Sequence, residues 1–154
     1  MRKIFVFAVL VAATALALTG VALADHDPPD GSAVQPVFVP GKVSNDCEGG
    51  SKLEGGGGDI TSGSYVIPFP NLDGGSTMHL TITVVQTALG PTFTFVSTSG
   101  EVVTSIYVKG GPDGSNLYNY GAGIEHDDGL HSPVNSKNGK YYGLSHLCIF
   151  ADKI

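Results

Sequence analysis

The chain has 154 residues, 42% apolar and 14% charged, with 22 glycines, no tryptophan and a formal charge of −6. Charge lies well below the roughly 25% usual in globular proteins, and glycine stands at about twice its usual share. These figures exclude a coiled coil, a basic nucleic-acid binder and a charged disordered tail. The length excludes a large barrel enzyme.

The first 24 residues predict a secretory signal peptide. Arg2 and Lys3 give a positive start, Ile4 to Leu18 an apolar run, and Ala22-Leu23-Ala24 the small residues of a cleavage site. Cleavage is expected after Ala24. A retained membrane anchor is the alternative, against which Gly20 and the small-residue site both argue. Cleavage would leave 130 residues with six lysines, no arginine, fourteen acids and a charge of −8. Lacking arginine and carrying an acidic surface, such a domain is a poor partner for nucleic acid or anionic lipid.

Residues 25–32 read as a flexible polar leader and 33–154 as a single domain. Val34 to Val39 has strand character, and Pro36 assigns it to a sheet edge. Residues 45–58, with four consecutive glycines at 55–58, read as a loop. Ser64 to Ile67 is a short strand, followed by a turn at Asn71 to Gly75. Met78, Leu80, Ile82 and Val84 then alternate with more polar neighbours, the period-two pattern of a half-buried strand. Phe93 and Phe95 alternate with threonines. Val102, Thr104, Ile106 and Val108 share one parity of the next strand, and residues 110–114 form a Gly/Pro turn. Asn116 to Tyr120 is a short strand, 121–140 a long polar loop, and Tyr141 to Phe150 the closing strand. No segment of the mature chain has apolar residues at helical spacing. The expectation is all-β: an antiparallel β-sandwich of seven to eight short strands with long Gly-rich loops.

Cys47 and Cys148 are the only cysteines. In an exported protein an even count reads as a disulfide, here closing a loop of about 100 residues. The competing reading is a Cys–His nucleophile, because His146 and Cys148 share a strand face. Ser145 and His146 point to opposite faces and form no Ser–His pair. His146 reads instead as a buried hydrogen-bonding anchor of the last strand. Glu125, His126, Asp127, Asp128 and His131 form the densest group of ligand-type side chains. His126, Asp127, Asp128 and His131 are the candidate divalent-metal ligands, although the spacing matches no defined metal loop. A solvated loop turning at Asp128-Gly129 is the alternative. Lys109, Tyr118, Tyr120, Tyr141 and His146 are binding-surface candidates, with Tyr107 and Tyr142 extending an aromatic platform. The alternative for the tyrosines is ordinary cross-strand packing.

From Phe93 onward the landmarks are Phe93-Thr94-Phe95, Val108-Lys109-Gly110-Gly111, Asn116-Leu117-Tyr118-Asn119-Tyr120, Asp128-Gly129-Leu130-His131-Ser132-Pro133 and Ser145-His146-Leu147-Cys148. In this order they resemble a widespread family of small secreted or surface-displayed bacterial β-domains of no settled activity. Asn45-Asp46-Cys47 looks like that family's early cysteine. Phe95 stands where the family often has Trp, and Cys148 lies two rather than four residues after the histidine. The resemblance implies a β fold and a bridge between the early and late cysteines, but no reaction.

The expected function is therefore a non-enzymatic, extracellular or cell-envelope binding or structural module. Its ligand is unidentified, and it takes no cofactor, no nucleic-acid partner and no stable membrane insertion after cleavage. The alternative is a small secreted metal-dependent enzyme built on residues 125–131.

Overall fold

The computed structural model describes residues 32–41, 47–69 and 77–153. The expected signal peptide, most of the expected leader, Asn45-Asp46 and the expected turn at 71–75 lie outside the described residues. Among the described residues eleven strands follow in chain order. They are β1 (Val37–Pro40), β2 (Ser51–Glu54), β3 (Gly63–Pro68), β4 (Thr77–Thr87), β5 (Gly90–Ser97), β6 (Glu101–Lys109), β7 (Gly114–Ile124), β8 (His126–His131), β9 (Val134–Asn135), β10 (Lys140–Tyr141) and β11 (His146–Lys153). A five-stranded sheet in the order β1-β7-β6-β11-β2 packs on a four-stranded sheet, β3-β4-β5-β8; β9 and β10 form a small separate hairpin. Every pairing is antiparallel. The all-β sandwich is as expected, with more strands than the seven or eight anticipated.

Period-two patterning places the core. Met78, Leu80 and Ile82 of β4 and Phe93 and Phe95 of β5 are buried from one side. Val103, Ile106 and Val108 of β6 and Leu147 and Ile149 of β11 meet them from the other. On the solvent side of β4, Thr77, His79, Thr81 and Thr83 are exposed. Each exposed threonine is a β-branched residue that suits a half-buried strand.

Three departures from the expected pattern have local causes. In β6 the face changes between Val103 and Ile106, so Val103 rather than Val102 is fully buried. Ser105 pairs with Phe150 and Val103 with Ala151, which leaves Thr104 as an extra residue. Such a bulge restores the apolar register that strict alternation would lose. Secondly, residues 121–140 are not one loop: β7 runs to Ile124, and β8 and β9 follow. Polar composition there disguised strands, because their side chains are satisfied by hydrogen bonds rather than by burial alone. Thirdly, Ser51–Glu54 inside the expected 45–58 loop forms β2, with Ser51 and Leu53 buried and Lys52 and Glu54 exposed. The closing strand expected from Tyr141 is interrupted at 142–145.

The sheet edges are short and tied together. β1 is an edge strand, as Pro36 implied. The backbone N–H of Ala33, just before β1, donates to Asp127 Oδ1 of β8 at 2.7 Å. On the opposite side the Ser51 hydroxyl of β2 donates to the Pro68 carbonyl of β3. Side chains thus join the two sheets where backbone pairing stops, which also covers edges open to aggregation.

Candidate functional site

The expected metal loop is strand β8, and its ligand-type residues do not converge. Phe95 pairs with Asp127 and Phe93 with Leu130, so β8 carries one residue more than β5 across this interval. Gly129, at φ 74°, supplies the left-handed conformation that such a bulge requires. Asp128-Gly129 is therefore a bulge rather than a turn. Asp127 and His131 are buried, whereas His126 and Asp128 are exposed. Among the described residues no group of three or more His, Cys, Asp or Glu side chains is disposed to hold a metal ion. Of His126, Asp127, Asp128 and His131, the first and third leave the strand on its exposed face and the second and fourth are buried, so adjacency in sequence does not place the four side chains together.

Asp127 is 4% exposed and fully engaged. Its Oδ2 accepts from the Tyr120 hydroxyl at 2.9 Å. Its Oδ1 accepts from the N–H groups of Ala33, at 2.7 Å, and Asp128, at 2.9 Å. His131 is likewise interior. Its ring Nδ1 lies 2.8 Å from the Ser132 carbonyl, which assigns the proton to Nδ1. The Tyr118 hydroxyl accepts from the His131 N–H at 3.0 Å. The Asn116 amide donates to the His131 carbonyl at 3.2 Å.

The tyrosines do not form a platform. Tyr118 is fully buried in the core, edge-on to His131. Tyr120 is half-buried, edge-on to Phe95. Tyr141 stacks on the His131 ring at 3.8 Å. Tyr107 lies on the outer face of the five-stranded sheet against Phe150. Tyr142 donates to Asp113 Oδ2 at 3.1 Å, and desolvation together with that carboxylate raises its pKa above the usual phenol value. Tyr118, Tyr120 and Tyr141, the three offered as binding residues, each pack against a ring of another strand.

Much of the landmark pattern meets at one end of the sandwich. A Cβ on Gly110 would lie 2.3 Å from the Gly143 carbonyl oxygen and 2.6 Å from Ser132 Cβ. Gly110 is therefore required by the close approach of three segments. The Ser132 hydroxyl donates to the Tyr142 carbonyl at 2.6 Å. The Ser145 hydroxyl and N–H both donate to the Lys109 carbonyl, at 3.0 and 2.9 Å. The Tyr142 N–H donates to the Pro133 carbonyl at 3.2 Å. Lys-Gly-Gly, His-Ser-Pro and Ser-His are the three parts of this junction.

The outer face of the five-stranded sheet holds the remaining reactive groups. Cys47 and Cys148 form a disulfide, with Cα atoms 5.3 Å apart. The Cys–His nucleophile is thereby excluded. His146 of β11 pairs directly with Lys109 of β6 and with Glu54 of β2. Lys52, opposite Cys148, makes a 2.5 Å ion pair with Glu54. Lys109 in turn pairs with Ser115 of β7. Lys109 and His146 are thus binding candidates that the fold sets directly side by side on this face. Sequence reasoning missed Ser115, a small residue directly after a turn; its only signal was parity with the Asn116 to Tyr120 strand.

His146 is 7% exposed, as expected of an anchor, but its Nε2 has no hydrogen-bond partner. Ser115 Oγ is buried and unpartnered as well. A buried polar group without a partner costs about 1–3 kcal/mol. Burial lowers the His146 pKa below its ordinary 6.5, with Lys52 and Lys109 adding to the effect and Glu54 opposing it. The folded state therefore binds its proton later than the unfolded chain does. The His146 contribution to stability is complete above about pH 6.5 and declines as pH falls through and below that value. Urea titrations between pH 5 and 8 should show this slope in the natural protein and lose it in His146→Gln. Parallel pH profiles for the two would contradict the assignment.

Comparison with protein families, with characterised proteins and with solved structures finds no match to this chain.

Proposed function

We propose that the chain is an exported β-sandwich module with a binding or structural role outside the cytoplasm, and that it works without catalysis. The observation that carries this reading is the use made of its most chemically capable residues. Asp127 is occupied by three structural hydrogen bonds, and His131 is locked between Tyr118, Ser132 and Tyr141. A metal-dependent hydrolase needs ligands left free to converge on an ion with an open coordination position. The Cys47–Cys148 bridge is compatible with an oxidising compartment. The positive start, apolar run and small-residue site at 1–24 support export, and the landmark resemblance to secreted bacterial β-domains agrees with it.

The test has two arms. Amino-terminal sequencing of protein recovered from the culture medium should begin at Asp25. Thermal melts of that protein should be unchanged by EDTA and by added Ca²⁺ or Zn²⁺, and elemental analysis should find no stoichiometric metal. An exported chain that retains Met1 would defeat the cleavage reading. A melt that depends on bound metal would favour the secreted metalloenzyme instead.

A further inference from the structure

We propose that Ser115, Lys109 and His146 form a binding site for an organic monocarboxylate on the outer face of the five-stranded sheet. The proposal rests on the binding-module reading and gives it a ligand class. The three residues lie in one cross-strand row on β7, β6 and β11, and residues directly opposite in an antiparallel pair share a face. Ser115 Oγ and His146 Nε2, at the two ends of the row, are buried without a hydrogen-bond partner. Lys109 stands between them, half-buried, and is the member that reaches solvent.

The chemistry of the row selects an anion. A hydroxyl, an ammonium and an imidazole whose Nε2 can carry the ring proton supply three donors, and the hydroxyl and the Nε2 have no partner. A cation would find one imidazole and a carboxylate, Glu54, already paired with Lys52, beside two ammonium groups.

Charge and neighbours narrow the class. Glu54 lies directly opposite His146, and its pairing with Lys52 leaves Lys109 as the uncompensated positive charge of the row. That balance suits a monoanion and disfavours a phosphate dianion. Two residues along the same strands, Leu117, Tyr107 and the bridged Cys148 form a parallel apolar row on the same face. A ligand with a carboxylate and a short apolar tail meets both rows, whereas a bare inorganic ion meets one. The rest of the mature chain is acidic, so attraction is local and no long-range steering is expected.

The experiment is a heteronuclear NMR titration of the oxidised mature protein with sodium acetate, sodium butyrate and inorganic phosphate at constant ionic strength. Acetate and butyrate should give saturable shifts centred on Ser115, Lys109 and the His146 ring, with butyrate binding roughly tenfold more tightly for its two extra methylenes. Phosphate should bind more weakly than butyrate. Lys109→Met should abolish saturation, and Lys109→Arg should restore it. Ser115→Ala, which removes an unpartnered hydroxyl, should keep or raise the melting temperature while weakening binding. It tests the site even if Lys109→Met does not fold. Non-saturating or scattered shifts, equal binding of phosphate, or unchanged binding in Lys109→Met and Ser115→Ala would overturn the site. That failure leaves the module reading standing, whereas metal-dependent folding would remove the module reading itself.

Discussion

Reduction of the Cys47–Cys148 bridge should destabilise the domain by about 4 kcal/mol, the scale set by loop entropy for a closed loop of roughly 100 residues. The sequence separation of the two cysteines is 101. For a domain of this size the melting temperature should fall by about 15 °C. Topology explains why so much rests on one bond. Among the described residues, β2 is an edge strand of four residues, paired with β11 and tied across to β3 by the Ser51 hydroxyl. The bridge attaches the chain just before β2 to β11 itself. Without it, β2 must hold its register with four pairs. Urea denaturation of the oxidised protein, the reduced protein and the double variant Cys47→Ala/Cys148→Ala measures the effect. The reduced protein and the double variant should lose similar amounts. Both sulfurs are buried, so the alanine variant loses some packing besides. Unaltered midpoints on reduction would show that the bridge is incidental to the fold.

Where a single physical cause sets the pattern, the sequence is enough to read it. Met78, Leu80 and Ile82 announce a half-buried strand because only burial on one face produces that alternation, and all three are in the core. Pro36 marks an edge because a missing N–H is tolerated only there. The cysteine pair is legible from an even count together with the export that the first 24 residues lead one to expect. Legibility fails where two causes compete. Thr104 and Gly129 shift the register by one residue, and no periodicity rule anticipates which residue will be extra. Tyr118 and His131 look like surface chemistry by residue type, yet the Tyr118 hydroxyl bonds the His131 backbone and both are buried. Their burial is a tertiary fact, since β7 and β8 belong to different sheets. The Lys109–His146 neighbourhood needs the strand order β7-β6-β11 before it exists at all.

Asp127→Ala should cost about 3 kcal/mol, and the pattern of companion variants separates a structural carboxylate from a metal ligand. Three donors converge on Asp127: the Tyr120 hydroxyl and the N–H groups of Ala33 and Asp128. Hydrogen bonds to a charged group are worth about 1.5–3 kcal/mol each, but three on one side chain do not add in full. Alanine leaves all three donors seeking a partner at a site that is 4% exposed. Asp127→Asn keeps an amide oxygen for the two backbone N–H groups and offers its NH₂ to the Tyr120 oxygen, so it should lose little. Tyr120→Phe removes one bond and should cost about 1 kcal/mol. The Ala33 contact ties the entry to β1 onto β8, so the Ala33 amide should lose its protection from hydrogen exchange in Asp127→Ala and keep it in Asp127→Asn. A metal ligand would behave differently, because asparagine is a poor substitute for a carboxylate on Zn²⁺ or Ca²⁺ and both variants would then lose metal-dependent stability together. Urea midpoints ordered natural protein, Asp127→Asn, Tyr120→Phe, Asp127→Ala, and unmoved by Ca²⁺ or Zn²⁺, are the result the hydrogen-bond geometry requires. Equal losses in Asp127→Asn and Asp127→Ala, or rescue of either by metal, would return Asp127 to the coordination chemistry that its neighbours in sequence first implied.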